Sequence, residues 1–448
     1  MSNGMQYVGE FLIERLTITS SKTGATESLT GTGQYQLDMY ESIYNNAVTA
    51  KLTIVDDNNI LSNLPILGQE IIDIKIKTAG LEELSITKQF AVYEISGRSE
   101  FTRGTEVFTL NLVSLEFLQG MRTVVSGSYT DTISNIVKSI LTDSEILGYD
   151  PSKVFIDKTV GIRKFVFPNS HPDHVIERLA TESIPEGNKG APFFMFFESL
   201  DGVHFENLIN MYKSNTVQEF HSGDAILLSG AGLSKLNDFD EEMKRIISMS
   251  VSSQNNMMAN IEEGMLSSKM IEYNIFTKSY ETVTYNYFDD FDKYDRISDD
   301  VSKNNPVYVD TNIPGTQKRI SDYPDASLHL HPTSSYNAMD AQSYSKNKKM
   351  LYNPNQIKST FLDRQAKYAE LDTTSEVVIR TNGHSAIRVG NPVIFNRQVI
   401  GRDHGDEDIN SLYSGKFLIA KARHIFDIPN KKYETILSLI KDSSPTAH

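Results

Sequence analysis

Residues 416–440 read KFLIAKARHIFDIPNKKYETILSLI, and residues 88–113 read KQFAVYEISGRSEFTRGTEVFTLNLV. Each stretch opens on an alternating strand that starts at a Phe, passes a polar turn and closes on a second alternating strand ending in Leu-x-Leu. Phe90 is as far from Leu110 as Phe417 is from Leu437, so one offset superimposes the two. It sets Val92 on Ile419, Ile95 on Ala422, Phe108 on Thr435 and Leu112 on Leu439. Successive side chains of a strand leave opposite faces, so period-two alternation describes a strand buried on one side only. The sequence therefore predicts two antiparallel hairpins of one design, with Gly68 and Gly390 opening the strand before each.

Three more strand-like runs precede the first hairpin: FLIERLTITS from Phe11, QYQLDMYESI from Gln34 and AVTAKLTIVDD from Ala47. With IIDIKIK they predict a small antiparallel barrel over residues 1–118. The second hairpin has upstream candidates of its own in RIISMSVS from Arg245, SKMIEYNIFTKSY from Ser268 and ETVTYNYF from Glu281, with a short helix, NNMMANIEE, ending at Gly264. The expected second barrel is split into 236–288 and 357–448. Between the barrels, over 119–235, the period changes. Ile133, Ile136, Val137, Ile140 and Leu141 form one helical stripe. Ser170, Pro172 and Asp173 predict a capped helix start, and Asp201-Gly202 predicts a tight hairpin turn. This is an α+β domain peripheral to the barrels. Over 289–356 the apolar rhythm fades, with six Asp between Asp289 and Asp300 and five of the 14 prolines between Pro306 and Pro354. An extended Pro/Asp-rich insertion is expected there. KSTFLDRQAKYAELD, residues 358–372, reads as a helix returning to the barrel. The fold class is mainly β with α+β insertions.

Composition narrows the function. At 448 residues the chain exceeds one ordinary core. A net charge of −15 argues against gripping nucleic acid, which requires Lys and Arg on phosphates, but does not argue against DNA passing nearby without sticking, since like charges repel. There is no Cys, so disulfides and thiolate metal sites are excluded, and no Trp, which removes a common sugar-stacking platform. No secretory signal opens the chain and no apolar run has the length of a membrane span, so no membrane insertion is expected. His329 and His331 in HLHP lack a third ligand at metal spacing and read as solvent-exposed. RDHGDED, Arg402–Asp408, lacks the alternation of a calcium loop and reads as an acidic turn. The Gly-rich LTGTGQY from Leu29 precedes a strand, where a phosphate cradle needs a helix N-terminus. No hydrolase, nucleotide-binding or zinc signature occurs. No enzyme activity and no catalytic, cofactor or metal residues are expected.

FVFPNSHPDHVIERLATES followed by APFFMFFESLDGVHFENL, within Phe165–Leu208, together with NIEEGMLSSKMIEYNIFTKSYETVTYNYFDDF, Asn260–Phe291, and the closing strands from Gly390 to Leu439, carry a resemblance. In their order these elements resemble the baseplate hub proteins of contractile-tailed, T-even-like bacteriophages, and more remotely the hub portion of type VI secretion spike proteins. The resemblance implies two homologous tube barrels plus peripheral domains, assembled as a homotrimeric ring of pseudo-sixfold symmetry. It also implies partners: tail tube or tube-initiator proteins, a separate central spike protein and baseplate wedge proteins, with DNA only in transit. The implied location is the virion tail baseplate, after assembly in the host cytoplasm. Residues 289–356 and the RDHGDED tip depart from the family pattern. Three alternatives stay open on sequence: a tandem-barrel receptor- or glycan-binding tail component, a cell-wall hydrolase, and the hub of a phage-like contractile injection system.

Overall fold

The first seven strands are β1 (Phe11–Thr19), β2 (Thr26–Ser28), β3 (Gln34–Ser42), β4 (Thr49–Asp56), β5 (Ile71–Thr78), β6 (Ile86–Thr102) and β7 (Thr105–Ser114). The computed structural model that shows them describes residues 8–30, 34–56, 66–78, 85–102, 105–222, 239–253, 255–274, 278–332, 357–373, 376–397 and 413–444. Antiparallel pairing sets the order β3-β4-β7-β6-β5-β1-β2. Alternation does the folding work: in β5, Ile72, Ile74 and Ile76 turn inward while Asp73, Lys75 and Lys77 do not. Leu16 of β1 and Leu37 of β3 come from far-apart strands of this order, yet share one core with Phe90, Val92, Leu110 and Leu112. A sheet whose distant strands meet in one core is rolled.

The peripheral domain comprises α1 (Leu115–Gly120), β8 (Val125–Thr132), α2 (Ile133–Thr142), β9 (Val154–Ile156), β10 (Ile162–Ser170), α3 (Pro172–Thr181), β11 (Phe194–Glu198), β12 (Val203–Asn207) and α4 (Leu208–Lys213). The predicted stripe of α2 is buried, and Thr132 caps the helix by accepting from the Asn135 N–H. Helix α3 begins with Pro172 as expected, but His171 occupies the cap position without a side-chain bond; the expected Ser170 cap is not formed, because Ser170 is the last residue of β10. The β11–β12 hairpin turns at Asp201-Gly202. Gly202 is required there, since a Cβ would lie 2.1 Å from the Lys153 carbonyl oxygen.

The rest of the chain contains β13 (Glu219–Ser222), α5 (Phe239–Lys244), β14 (Ile246–Ser253), α6 (Met257–Glu262), β15 (Ser267–Asn274), β16 (Ser279–Asn286), β17 (Leu328–Pro332), α7 (Ile357–Thr373), β18 (Glu376–Asn382), β19 (Pro392–Arg397), β20 (Gly415–Asp427) and β21 (Lys432–Ile440). The second sheet runs β14-β18-β21-β20-β19-β13, and β20 also pairs with β3, so one sheet passes through both halves. Its core gathers Phe417, Ile419, Leu437 and Leu439.

Two assignments differ from the sequence reading. SKMIEYN and ETVTYN, read as second-barrel strands, are β15 and β16 of a separate sheet, β16-β15-β17, whose inner residues Met270 and Tyr285 pack with Leu362 and Ala366 of α7. Their place beside β21 is taken by EVVIRTN, strand β18. The described part of the insertion, 289–332, is not coreless either. It contributes Phe291, Tyr308, Ile313 and Ile320 to that same cluster, although its backbone is mostly turns and short 3-10 segments. Among the described residues, no helix is long and apolar enough to cross a membrane.

Candidate functional site

The two predicted hairpins have the same strand partners, except that β20 also pairs with β3. β6 pairs with β5 and β7 and β7 with β4; β20 pairs with β19 and β21 and β21 with β18. Val92 faces Leu112 and Ile95 faces Leu110; Ile419 faces Leu439 and Ala422 faces Leu437. A bulge falls between Val92 and Glu94 in the first ladder and between Ile419 and Lys421 in the second, at the same offset. A bulge bends and twists its strand at a defined point, so sharing one means sharing local curvature. The offset holds one strand further out: Ala50 faces Leu112 and Val377 faces Leu439. Phe90, Val92, Leu110, Leu112, Phe417, Ile419, Leu437 and Leu439 are all buried to within 1%. Gly68 and Gly390 both have positive φ, +86° and +82°, but sit one register step apart: Gly68 precedes Ile71 by three residues, and Gly390 precedes Pro392, the counterpart of Ile71, by two.

The halves are joined at an edge. β20 outruns β19, and its residues Lys421–Asp427 add to β3 in antiparallel register, from Lys421 opposite Ser42 to Asp427 opposite Gln36. The bulged Ala420 accepts from the Ile43 N–H at 2.9 Å. Beyond the second core the same strand enters the first, where Phe426 lies 5.2 Å from Phe11 and stacks on Tyr433 at 4.2 Å.

Buried polar groups pin this junction. Glu41 accepts from the backbone N–H groups of Leu200 (3.0 Å) and Val389 (3.2 Å), tying both barrels to the β11–β12 turn. Burial raises its carboxyl above the usual carboxylate range, against Arg388 and those two donors. His424, fully buried, sits 3.9 Å from Glu41 and 2.7 Å from the Tyr433 hydroxyl. Burial, then the Arg388 cation, push its pKa down to about 3, so the ring is neutral. Glu198 locks the peripheral domain to the first barrel. It accepts from Lys88 Nζ (2.5 Å), the Ser114 hydroxyl (2.5 Å) and the Val48 N–H (2.9 Å). A third network fixes the insertion. Arg296 donates to both oxygens of Glu370 (2.7 and 2.6 Å), and Lys367 bonds Glu370 and Asp442. Burial would raise Asp442, but Lys367 and Arg296 outweigh it and hold the carboxyl below the ordinary value. The sequence reading missed all three networks. Apart from Lys367–Glu370 and His424–Tyr433, their hydrogen-bonded partners are 74 to 348 residues apart, and they share no motif.

A hydrolase-like outline exists in the peripheral domain. Ser199 Oγ lies 2.9 Å from His204 Nε2, and Glu206 lies 3.4 Å from Nδ1. Ser199 is fully buried, however, and the ring is stacked between Phe155 and Phe197, each at 4.7 Å. No substrate carbonyl can approach such a hydroxyl, and the arrangement is structural. His329 and His331 lie on β17 and are half-buried, where the sequence reads them as solvent-exposed, while Leu328 and Leu330 stand outward; His329 packs edge-on against Phe361 at 5.0 Å. Among the described residues, no group of three His, Cys, Asp or Glu could hold a metal ion. Arg402–Asp408 lies outside the described residues.

This rolled, duplicated architecture is the fold of phage tail proteins. Over 97% of both chains it is similar to the tail protein from Neisseria meningitidis MC58, with a TM-score of 0.51 and 11% identity. It is likewise similar to the 43 kDa tail protein of prophage MuSo2 from Shewanella oneidensis, with a TM-score of 0.50 and 10% identity over 96% of this chain and 98% of that one. No family model and no curated protein matches the chain.

Proposed function

We propose that this protein is the baseplate hub of a contractile phage tail, a homotrimer that joins the tail tube to a central spike around a channel for DNA. The observation that carries the reading is the repeat: two barrels with one strand order, a shared bulge and, in the hairpin as far as Ser96 and its counterpart Arg423, one register; β6 alone is irregular again beyond Ser96. Three such chains present six nearly equivalent barrels, which suits a sixfold tube, or its initiator, on one face and a threefold spike on the other. The similarity in fold to tail proteins along nearly the whole chain supports a structural tail component. The role is mechanical. It needs rigid, paired edges and no reacting group. Baseplate wedge proteins are further candidate partners, and the virion baseplate is the place of action after assembly in the host cytoplasm. The charge of −15 favours a wall that repels passing DNA.

Native mass spectrometry tests this. Three copies of a 50.4 kDa chain are expected, and negative-stain averages should show a ring of six lobes around a hole. A monomer, or a twofold dimer, refutes the hub reading.

A further inference from the structure

The intrachain junction leaves half of itself unused at each end of the chain. In copy two, β20 runs past β19 and its free side is covered by β3. In copy one, β6 runs past β5 in the same way: β5 covers Ile86–Ala91, and among the described residues no strand covers the same side of Tyr93–Thr102. Exposure records the difference. Ala420, at the second bulge, is 0% exposed beneath its neighbour, whereas its counterpart Tyr93 is 53% exposed. Pro392 is buried, whereas its counterpart Ile71 is 41% exposed beside the still more open Leu67, at 62%. Among the described residues the complementary edge is also open beyond the bridge of Arg245 to His221 at its start. β14 occupies in copy two the place of β3, since Met249 faces Ile379 as Leu37 faces Leu52, and Val251 faces Val377 as Met39 faces Ala50. β3 is covered on both sides, by β4 and β20; Ile246–Ser253 has only β18 as a strand partner among the described residues. Apolar side chains stand open on it as well, Ile247 at 46% and, on the helix that follows, Met258 at 80%.

We infer that β6 beyond Tyr93 pairs antiparallel with β14 of a second copy, in the register that β20 and β3 adopt inside one chain. The register follows ladder by ladder. Ser99 faces Val107, the counterpart of Glu434; Glu434 faces Ile425; Ile425 faces Asp38, the counterpart of Ser250. Ser99 of one chain therefore lies opposite Ser250 of the next. The occupant is a second copy because this chain already contains the finished form of the same joint. Each chain offers one edge of each kind, so the contact is heterologous and repeats head to tail until a ring closes. Main-chain bonds set the register, and Tyr93, Ile71, Leu67 and Ile247 supply apolar area. This pairing rests on the trimer reading and specifies its interface.

The absence of native Cys makes a direct test possible. S99C/S250C under mild oxidation should give a covalent ladder ending at the trimer on a non-reducing gel, with neither single variant doing so. S99C/S248C, offset by two residues, should give none. Y93D should keep the far-UV circular dichroism spectrum and lose the trimer in native mass spectrometry. A native trimer without the S99C/S250C ladder, or with a ladder from S99C/S248C instead, overturns this pairing and leaves the trimer standing. A wild-type monomer overturns both. A trimer that survives Y93D unchanged removes the apolar patch from the interface.

Discussion

Replacing Glu198 by Gln probes the joint between the peripheral domain and the first barrel. The carboxylate is fully buried, and Lys88 beside it is 7% exposed. Burial pulls the Lys88 ammonium down, but Glu198 and then Glu116 outweigh it and hold its pKa above the ordinary lysine value. Glu198→Gln keeps shape and the bonds from Ser114 and Val48, yet removes the charge 2.5 Å from Lys88 Nζ. Stranding one partner of a buried pair costs about 3–5 kcal/mol. Glu116, 3.7 Å from the same nitrogen and partly exposed, recovers a share, so a loss of about 2–4 kcal/mol is expected. K88M/E198Q should be much nearer to wild type, because no uncompensated charge remains. Urea unfolding at fixed protein concentration, followed by circular dichroism because the chain has no Trp, reads both. An E198Q loss below about 1 kcal/mol, or a double variant as unstable as the summed singles, refutes the argument.

Three further outcomes are expected. Neutral His424 stabilises the fold fully above pH 6.5; below that the unfolded chain takes up a proton that the folded chain refuses down to about pH 3. Stability should then fall by about 1.4 kcal/mol per pH unit from this residue, and H424Q should flatten the melting-temperature profile between pH 6.5 and 4. G202A places a methyl 2.1 Å from the Lys153 carbonyl and should cost more than about 2 kcal/mol, seen as faster proteolysis of the peripheral domain. F90A and F417A empty matching core positions and should each cost about 3–5 kcal/mol by thermal denaturation; a negligible effect at one site would separate the two cores in kind.

Both hairpins were legible because strand alternation is local and survives in any window. Ile95 and Ala422 keep the same facing partners although their side chains differ in size. What alternation does not report is which sheet a strand joins. Met270 and Tyr285 show the same period whether they face a barrel or helix α7, so the sequence alone sets β15 and β16 in the wrong layer and does not single out EVVIRTN, with its charged Arg380 near mid-strand. Irregular segments carry no period at all. Phe291, Tyr308, Ile313 and Ile320 fall at uneven intervals, and their shared core depends on Arg296 reaching Glu370 and the Asp442 carbonyl. The joint between the halves was legible only as a doubled pattern. That β20 outruns β19 to reach β3 depends on strand lengths and on a single bulged residue.

One covalent thread runs through both hydrophobic interiors: β20 seats Phe417 in one and Phe426 in the other. A tether between separate barrels would let them swivel under load, whereas here a pull on either half travels straight along a strand hydrogen-bonded to its neighbours on both flanks. Under an axial load the pair should respond as a single stiff beam.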